Sequence, residues 1–207
     1  MPLCELGFYP EKLIGASCRE VVEQILSFHS EIIKVSLSKF LYVPQTIGKE
    51  KGDVLLWIDR EAIFHGALDE EISRLEKGWD LGIRSQVVLE NGCYAHIPMM
   101  DFCLSKSSES VTLIKKRMRE ITGEKAGFIL ESGRSYHYYG INLLSQESWL
   151  EFMAKCLLTG VFQGKDQPFL QAADQRYIGH SLLGGGCVLR ITTNAERKFM
   201  PVVVATL

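Results

Sequence analysis

No apolar run in this chain approaches the roughly 20 residues that a membrane-spanning helix needs. The opening residues, Met1-Pro2-Leu3-Cys4-Glu5-Leu6, lack the basic-then-apolar order of a secretory signal. The expectation is a cytoplasmic protein with no membrane contact. None of the six cysteines (4, 18, 93, 103, 156 and 187) forms a C-x-x-C pair, so neither a zinc ribbon nor a thioredoxin-type site is signalled. In the cytosol they are expected to be reduced and mostly buried. His29, His65, His96 and His180 show no metal-ligand spacing among themselves. The triple glycine Gly184-Gly185-Gly186 lacks a following Gly-Lys-Ser/Thr, so it reads as a flexible approach to a strand rather than a phosphate loop. There is no excess of positive charge either: 23 Lys and Arg against 25 Asp and Glu leave a net charge of -2. A nucleic-acid partner would therefore need a local basic groove, and strong sequence-independent binding is disfavoured. Internal repeats, low-complexity tracts and an obvious linker are also missing.

What is present suits one large domain or two interlocked subdomains: 207 residues, 46% hydrophobic and 23% charged. Ser17-Cys18-Arg19-Glu20 has the form of a capping box and predicts a helix over about 18–30. Residues 31–43 are ambiguous, although Lys34-Val35-Ser36-Leu37 alternates like a strand. Asp53 to Asp59 reads as a buried strand ending in an acid, and Leu68, Ile72 and Leu75 mark a helix that Gly78 closes. Ser85 to Leu89 and Cys93 to Phe102 form the clearest hairpin, joined through Asn91-Gly92. Pro98 within the second strand points to an edge or a bulge. Ser107 or Ser108 caps a helix striped by Val111, Ile114, Met118 and Ile121, with Gly123 as its stop. Ser145 opens another, with Trp149, Phe152, Met153, Cys156 and Leu157 on its apolar face. Arg176-Tyr177-Ile178 reads as a short strand. Cys187–Thr192 and Pro201–Leu207 read as a closing hairpin through 194–198. Alternating helices and hairpins predict an α+β fold with mixed sheets.

The chemistry concentrates around Glu131-Ser132-Gly133-Arg134-Ser135-Tyr136-His137. Two strands joined by a polar turn put Ser135 and His137 on one face and Arg134 at the turn. A hydroxyl, an imidazole and a guanidinium there can all donate to phosphate oxygens. Against this stands an ordinary tyrosine-rich hairpin in which Tyr136, Tyr138 and Tyr139 are strand packing. Asp101 ends a strand just before a helix. Residue 103 would share its face, and an acid there would complete a two-metal clamp; it is Cys, a poor partner for Mg²⁺. Asp174, and Asp59 with Glu61, are read as surface acids unless other residues join them. Arg190, flanked by aliphatic residues, must face solvent, a carboxylate or a phosphate. Arg197 and Lys198 follow at the expected turn.

Taken in order, Met100-Asp101-Phe102-Cys103, Ser132-Gly133-Arg134-Ser135-Tyr136-His137, and Asp174 followed by Leu189-Arg190-Ile191 resemble the archaeo-eukaryotic primase superfamily of small-subunit primases and primase-polymerases. They resemble its D-x-D/E, S-x-H and later-Asp motifs, over roughly residues 50–200. The resemblance implies a primase-like core, an N-terminal α/β unit packed on an RRM-like unit, over 51–207, with 1–50 as a helical or extended lead-in. It implies a nucleotidyltransferase in which Asp101 and Asp174 hold Mg²⁺ or Mn²⁺. His137, with Ser132, Arg134 and Ser135, would meet a nucleoside triphosphate, and Arg190 and Lys198 would assist. Implied partners are single-stranded or primer-template nucleic acid and a helicase or other replication protein. Cys103 departs from the pattern, removes a hard oxygen ligand and predicts a weak or inactive enzyme unless Asp59 or Glu61 compensates. The alternatives are a non-catalytic module that holds a nucleotide or nucleic-acid end in the same cleft, and an unrelated hydrolase built on Cys103 and His137.

Overall fold

A computed structural model of the protein describes residues 10–41, 53–123, 125–162, 169–193 and 199–207. It is an α+β fold, as expected, with two principal antiparallel sheets, and every ladder among the described residues is antiparallel.

The first helix, α1 (Cys18–Phe28), begins where the capping box predicts. Ser17 Oγ accepts from the Glu20 N–H, and the Ser17 N–H donates to Glu20 Oε2 at 2.7 Å. Val21, Val22, Ile25 and Leu26 are wholly buried. The ambiguous stretch after it is β1 (Ile32–Phe40), which lies between β2 (Val54–Asp59) and β3 (Asp80–Leu89) in the first sheet. The segment expected as a lead-in thus supplies an inner strand. β3 uses its other edge twice, pairing β10 (Val188–Arg190) over Gly82–Arg84 and β4 (Tyr94–His96) over Gln86–Val88.

Two expectations about this sheet are corrected. β2 is not buried: it is the sheet's edge strand, bonded to β1 on one side, with Val54, Leu55 and Trp57 exposed. An apolar run reports strand formation but not how many neighbours the strand will have. Between β2 and β3 lie α2 (Arg60–Phe64) and α3 (Ala67–Ser73), so the second of these ends before Gly78.

The second sheet has the order β11 (Val202–Thr206), β6 (Gly127–Glu131), β7 (Tyr136–Gly140), β5 (Met99–Asp101). Pro98 explains why the long second strand of the expected hairpin divides. The Ile97 N–H still bonds Ser85 O in the first sheet at 2.8 Å, and Pro98 O already accepts from the Gly140 N–H in the second at 2.7 Å. A residue with no N–H to give thus sits where the chain changes sheets. Gly140 permits the crossing, since a Cβ there would come within 2.9 Å of the Pro98 ring.

α4 (Ser108–Thr122) and α5 (Gln146–Leu157) start at the expected serine caps, Ser107 and Ser145, and α4 stops at Gly123 in the left-handed conformation. Residues 161–162 and 169–170 form the short ladder β8–β9. Two further corrections concern the C-terminal third. Arg176-Tyr177-Ile178 is not a strand but the first turn of α6 (Gln175–Gly184), because Asp174 Oδ1 accepts from the N–H groups of Arg176 (2.8 Å) and Tyr177 (3.2 Å). The closing hairpin does not form either, since β10 pairs with β3 and β11 with β6, in different sheets. All five described cysteines are free. Cys18, Cys156 and Cys187 are buried, and Cys93 and Cys103 are exposed.

Candidate functional site

β5 and β7 pair so that Asp101 and His137 stand directly opposite each other. Side chains opposite each other on one ladder share a face, and His137 Nε2 lies 3.6 Å from Asp101 Oδ1. The imidazole is nearly buried, whereas the carboxylate is about a third exposed. The other edge of β5 is met by the segment entering α6. The Cys103 N–H donates to Ala172 O and the Asp174 N–H to Asp101 O, each at 2.9 Å. Asp174 is thereby tethered to the backbone of Asp101, and its side chain also caps the helix it begins.

These three residues line a cleft of about 280 Å³ whose opposite wall comes from the first sheet. Ser38 of β1, Gly82 of β3 and Arg190 of β10 form one cross-strand row there, and the next row pairs Arg84 with Val188. Gly82 has no room for a side chain, since a Cβ would lie 2.5 Å from Val188 Cγ1 and 3.2 Å from Leu189 O. Arg190, 4% exposed, donates from Nη2 to Ser132 O and Phe199 O at 3.4 Å each. One guanidinium thus joins the cleft to the Ser132–Ser135 turn. Arg84, 6% exposed, donates to Ser38 Oγ at 3.3 Å and to Gly184 O at 3.0 Å. Ser38 in turn donates to Asp53 Oδ1 at 2.7 Å. Arg176, Tyr177 and His180 of α6 complete the rim, with burial holding the Tyr177 phenol well above its usual pKa and therefore neutral.

The cleft thus gathers Asp101, His137, Asp174 and Arg190 from the residues singled out in the sequence. Ser132, Arg134 and Ser135 are not among its lining. Ser132 and Ser135 close the turn through a 2.9 Å backbone bond, Arg134 is exposed, and Ser135 Oγ is buried without a partner. Lys198 falls outside the described residues. Neither Asp59 nor Glu61 lines the cleft. Asp59 is paired across β1 with Lys34, four residues and about 13 Å along the strand from Ser38, and Glu61 is ion-paired with Arg60.

Sequence reasoning missed Asp53, Ser38 and Arg84. The signal for Arg84 was the one that identified Arg190, a guanidinium within an aliphatic strand (Leu81-Gly82-Ile83-Arg84-Ser85).

Cys103 donates its thiol to Gln171 O at 3.2 Å. Partial burial, then the negative charges of Asp174 and Asp101 beside it, push its pKa above the ordinary 9.0. A thiol held neutral and turned to backbone carbonyls is neither an activated nucleophile nor a metal ligand, and His137 faces Asp101 instead. The geometry gives a Cys103–His137 hydrolase no support.

Asp101 and Asp174 together present hard oxygen donors from adjacent backbone positions. That donor set fits Mg²⁺ or Mn²⁺, which are commonly held by one or two carboxylates plus substrate phosphates rather than by a full protein cage. Among the described residues no group of three or more His, Cys, Asp or Glu side chains is arranged to hold a metal ion.

A family model described as archaeo-eukaryotic primase 1D-like matches residues 61–202, more than half of the chain. The matched span includes Asp101, His137, Asp174, Arg84 and Arg190, and leaves out Ser38 and Asp53. No curated protein and no solved structure matches the chain.

Proposed function

Because the chain belongs to the archaeo-eukaryotic primase 1D-like family, we propose that its cleft binds a nucleoside triphosphate together with Mg²⁺ or Mn²⁺, as a nucleotidyltransferase-type domain with weak transfer activity. One observation carries the reading: Asp101, His137 and Asp174, from three separate segments, are held together on one wall of the cleft, with Arg190 on the other. His137 donates to a phosphate oxygen, and Arg190 adds a fixed positive charge from the facing sheet. Asp101 and Asp174 hold the cation, which when bound supplies positive charge where the transferred phosphoryl group becomes more negative. The Asp101 carboxylate also faces the His137 ring, 3.6 Å from Nε2.

Weak transfer follows from Cys103, since a neutral thiol leaves the cation with two carboxylates in place of three. That same shortage of hard ligands favours a second reading, a module that holds the nucleotide, or a nucleic-acid end bearing phosphate, without transferring anything. Helicase or replication-protein partners belong to the family-level expectation and have no separate support in the cleft.

Calorimetric titration of ATP and dATP with Mn²⁺ into the natural protein and His137→Ala tests the binding. Metal-dependent binding that weakens at least about tenfold in the variant supports it. Equal binding by both proteins, or by neither, overturns it. Primer extension by the natural protein separates the two readings.

A further inference from the structure

The second sheet carries a pocket on the face turned away from the cleft. Side chains alternate along β7, so Tyr138 projects from the face opposite His137. It forms the floor of a cavity of about 200 Å³ walled by the end of α4 and by α5. Pro98, Ile121, Leu144 and Phe152 supply apolar walls, and the exposed Lys125, Glu151 and Lys155 ring the mouth.

Tyr138 is wholly buried, and its hydroxyl has no hydrogen-bond partner. The Thr122 hydroxyl beside it donates to Met118 O at 2.7 Å. Burial pushes the phenol well above its usual pKa, so it stays a neutral donor. Phenylalanine would fill the same space without the cost of a buried, unpaired hydroxyl. Two glycines, paired across β6 and β7, keep the way open for that hydroxyl. A Cβ at Gly127 would lie 2.6 Å from its oxygen, and one at Gly140 3.0 Å. Three positions thus combine to bring one donor to an apolar cavity that offers it no acceptor.

The size of the cavity and the charge at its mouth define what would supply the acceptor. A cavity of about 150 Å³ holds benzene, so 200 Å³ admits one ring with small substituents. At the floor a neutral carbonyl oxygen is favoured, since a carboxylate taken there would lose its hydration. At the mouth Lys155 is paired with Glu151 at 2.7 Å, whereas Lys125 enters no ion pair among the described residues. The rim therefore keeps one positive charge in excess, which matches a single carboxylate left in water.

We propose that this pocket is a second ligand site, for a small flat organic carboxylate: one ring whose carbonyl oxygen accepts from Tyr138 and whose carboxylate lies toward Lys125. The proposal is independent of the nucleotide reading, since no residue lining the pocket lines the cleft.

The test uses the full chain and three probes. Para-acetylbenzoate carries ring, carbonyl and carboxylate; benzoate lacks the carbonyl, and acetophenone lacks the carboxylate. Each is titrated by amide NMR into the natural protein, Tyr138→Phe and Lys125→Met, and the natural protein and Tyr138→Phe are also melted without ligand. The expected result is saturable binding of para-acetylbenzoate at millimolar concentration or below, shifting the amides of Gly140, Ile141 and Asn142 ahead of those of Asp101 and Asp174. Tyr138→Phe should weaken it about fivefold and leave benzoate level. Lys125→Met should weaken both carboxylates at low salt and leave acetophenone level. The ligand-free melting temperature of Tyr138→Phe should stay level or rise, because a hydroxyl without a partner has been removed. A fall in it with probe binding unchanged means that the hydroxyl serves the fold alone, and the proposal is overturned. Shifts confined to the cleft, or no binding of any probe at millimolar concentration, overturn it too. Acetophenone bound as tightly as para-acetylbenzoate overturns the carboxylate. Should Tyr138→Phe fail to fold, the natural protein decides: benzoate bound as tightly as para-acetylbenzoate overturns the proposal.

Discussion

Asp101 and His137 face each other across the β5–β7 ladder, with Oδ1 3.6 Å from Nε2. If His137 takes a phosphate oxygen and Asp101 the cation, as proposed, the carboxylate has two opposed effects. It repels a bare anion and attracts a metal-bound one. Asp101→Asn should therefore weaken ATP binding in Mn²⁺ by about tenfold or more while leaving ATP binding in chelator level or slightly tighter. Titrations in both buffers check the sign as well as the size. A variant weakened equally in the two would mean that Asp101 acts through the fold alone.

Asp174 caps α6 and is proposed to hold the cation, and substitution can separate the two. Asn keeps an oxygen to accept from Arg176 and Tyr177, so α6 should keep its cap and the protein its stability to within a few tenths of a kcal/mol. Ala removes the cap and should cost about 1 kcal/mol. Both remove the carboxylate charge, so metal-dependent nucleotide binding should fall equally in the two. Denaturant midpoints read the first effect, and titration with Mn²⁺ reads the second.

Cys103→Asp restores an acid beside Asp101 and Asp174 in place of a thiol that donates to Gln171 O. Three carboxylates crowded together repel one another, and the new one has no proton to give that carbonyl. Without metal the variant should melt below the natural protein. Added Mn²⁺ should raise its melting temperature by more than it raises that of the natural protein, through linkage. Any primer-extension activity should increase. Equal thermal responses to Mn²⁺ would show that residue 103 does not reach the cation.

A pH effect on stability should arise away from the cleft, at His96. Its ring is wholly buried and stacked on Trp149 at 4.6 Å. Cys187 N–H donates to Ser85 Oγ at 2.9 Å. Ser85 Oγ lies 3.0 Å from Nδ1, and Nε2 lies 2.9 Å from Gln146 Oε1. The chain of donors is complete when Nδ1 accepts and Nε2 donates, which is neutral histidine. Burial, opposed by the Gln146 bond and reinforced by the Arg84 charge, holds the pKa below the ordinary 6.5. The unfolded chain then binds the proton more readily than the folded one. The stability from neutral His96 is full above about pH 6.5 and is lost as pH falls below it. Denaturant midpoints between about pH 7.5 and 5 should decline for the natural protein and decline less for His96→Gln; parallel curves would contradict this.

α1, α4 and α5 were legible because their signals are local. Ser17, Ser107 and Ser145 each cap where they stand, and Gly123 stops α4 through its own backbone conformation. Asp101 and His137 could be named from short motifs, but their meeting needed the register of β5 against β7. Pro98 hinted at that register only as an irregularity. α6 was misread because Asp174, read as a surface acid or, from the resemblance, a metal ligand, is also the helix cap that accepts from the Arg176 and Tyr177 N–H groups. The burial of β2 was misjudged because edge position is a property of the sheet. Arg84 went unremarked because its burial follows from β3 being an inner strand, which is a property of the sheet.

The passage of the chain from β4 through Pro98 into β5 also bears on how the molecule assembles. A short stretch joins two sheets, each of which also pairs strands from far apart in the chain, β3 with β10 and β6 with β11. Closing such loops costs entropy before the pairing returns anything. Folding should therefore be slow for a chain of this size. The cleft should be a late product of it, since its walls draw on residues 38, 84, 101, 137, 174 and 190. A shortened chain ending before β10 would lose Arg190 and the strand beside Arg84, and no partial fold would carry a partial site.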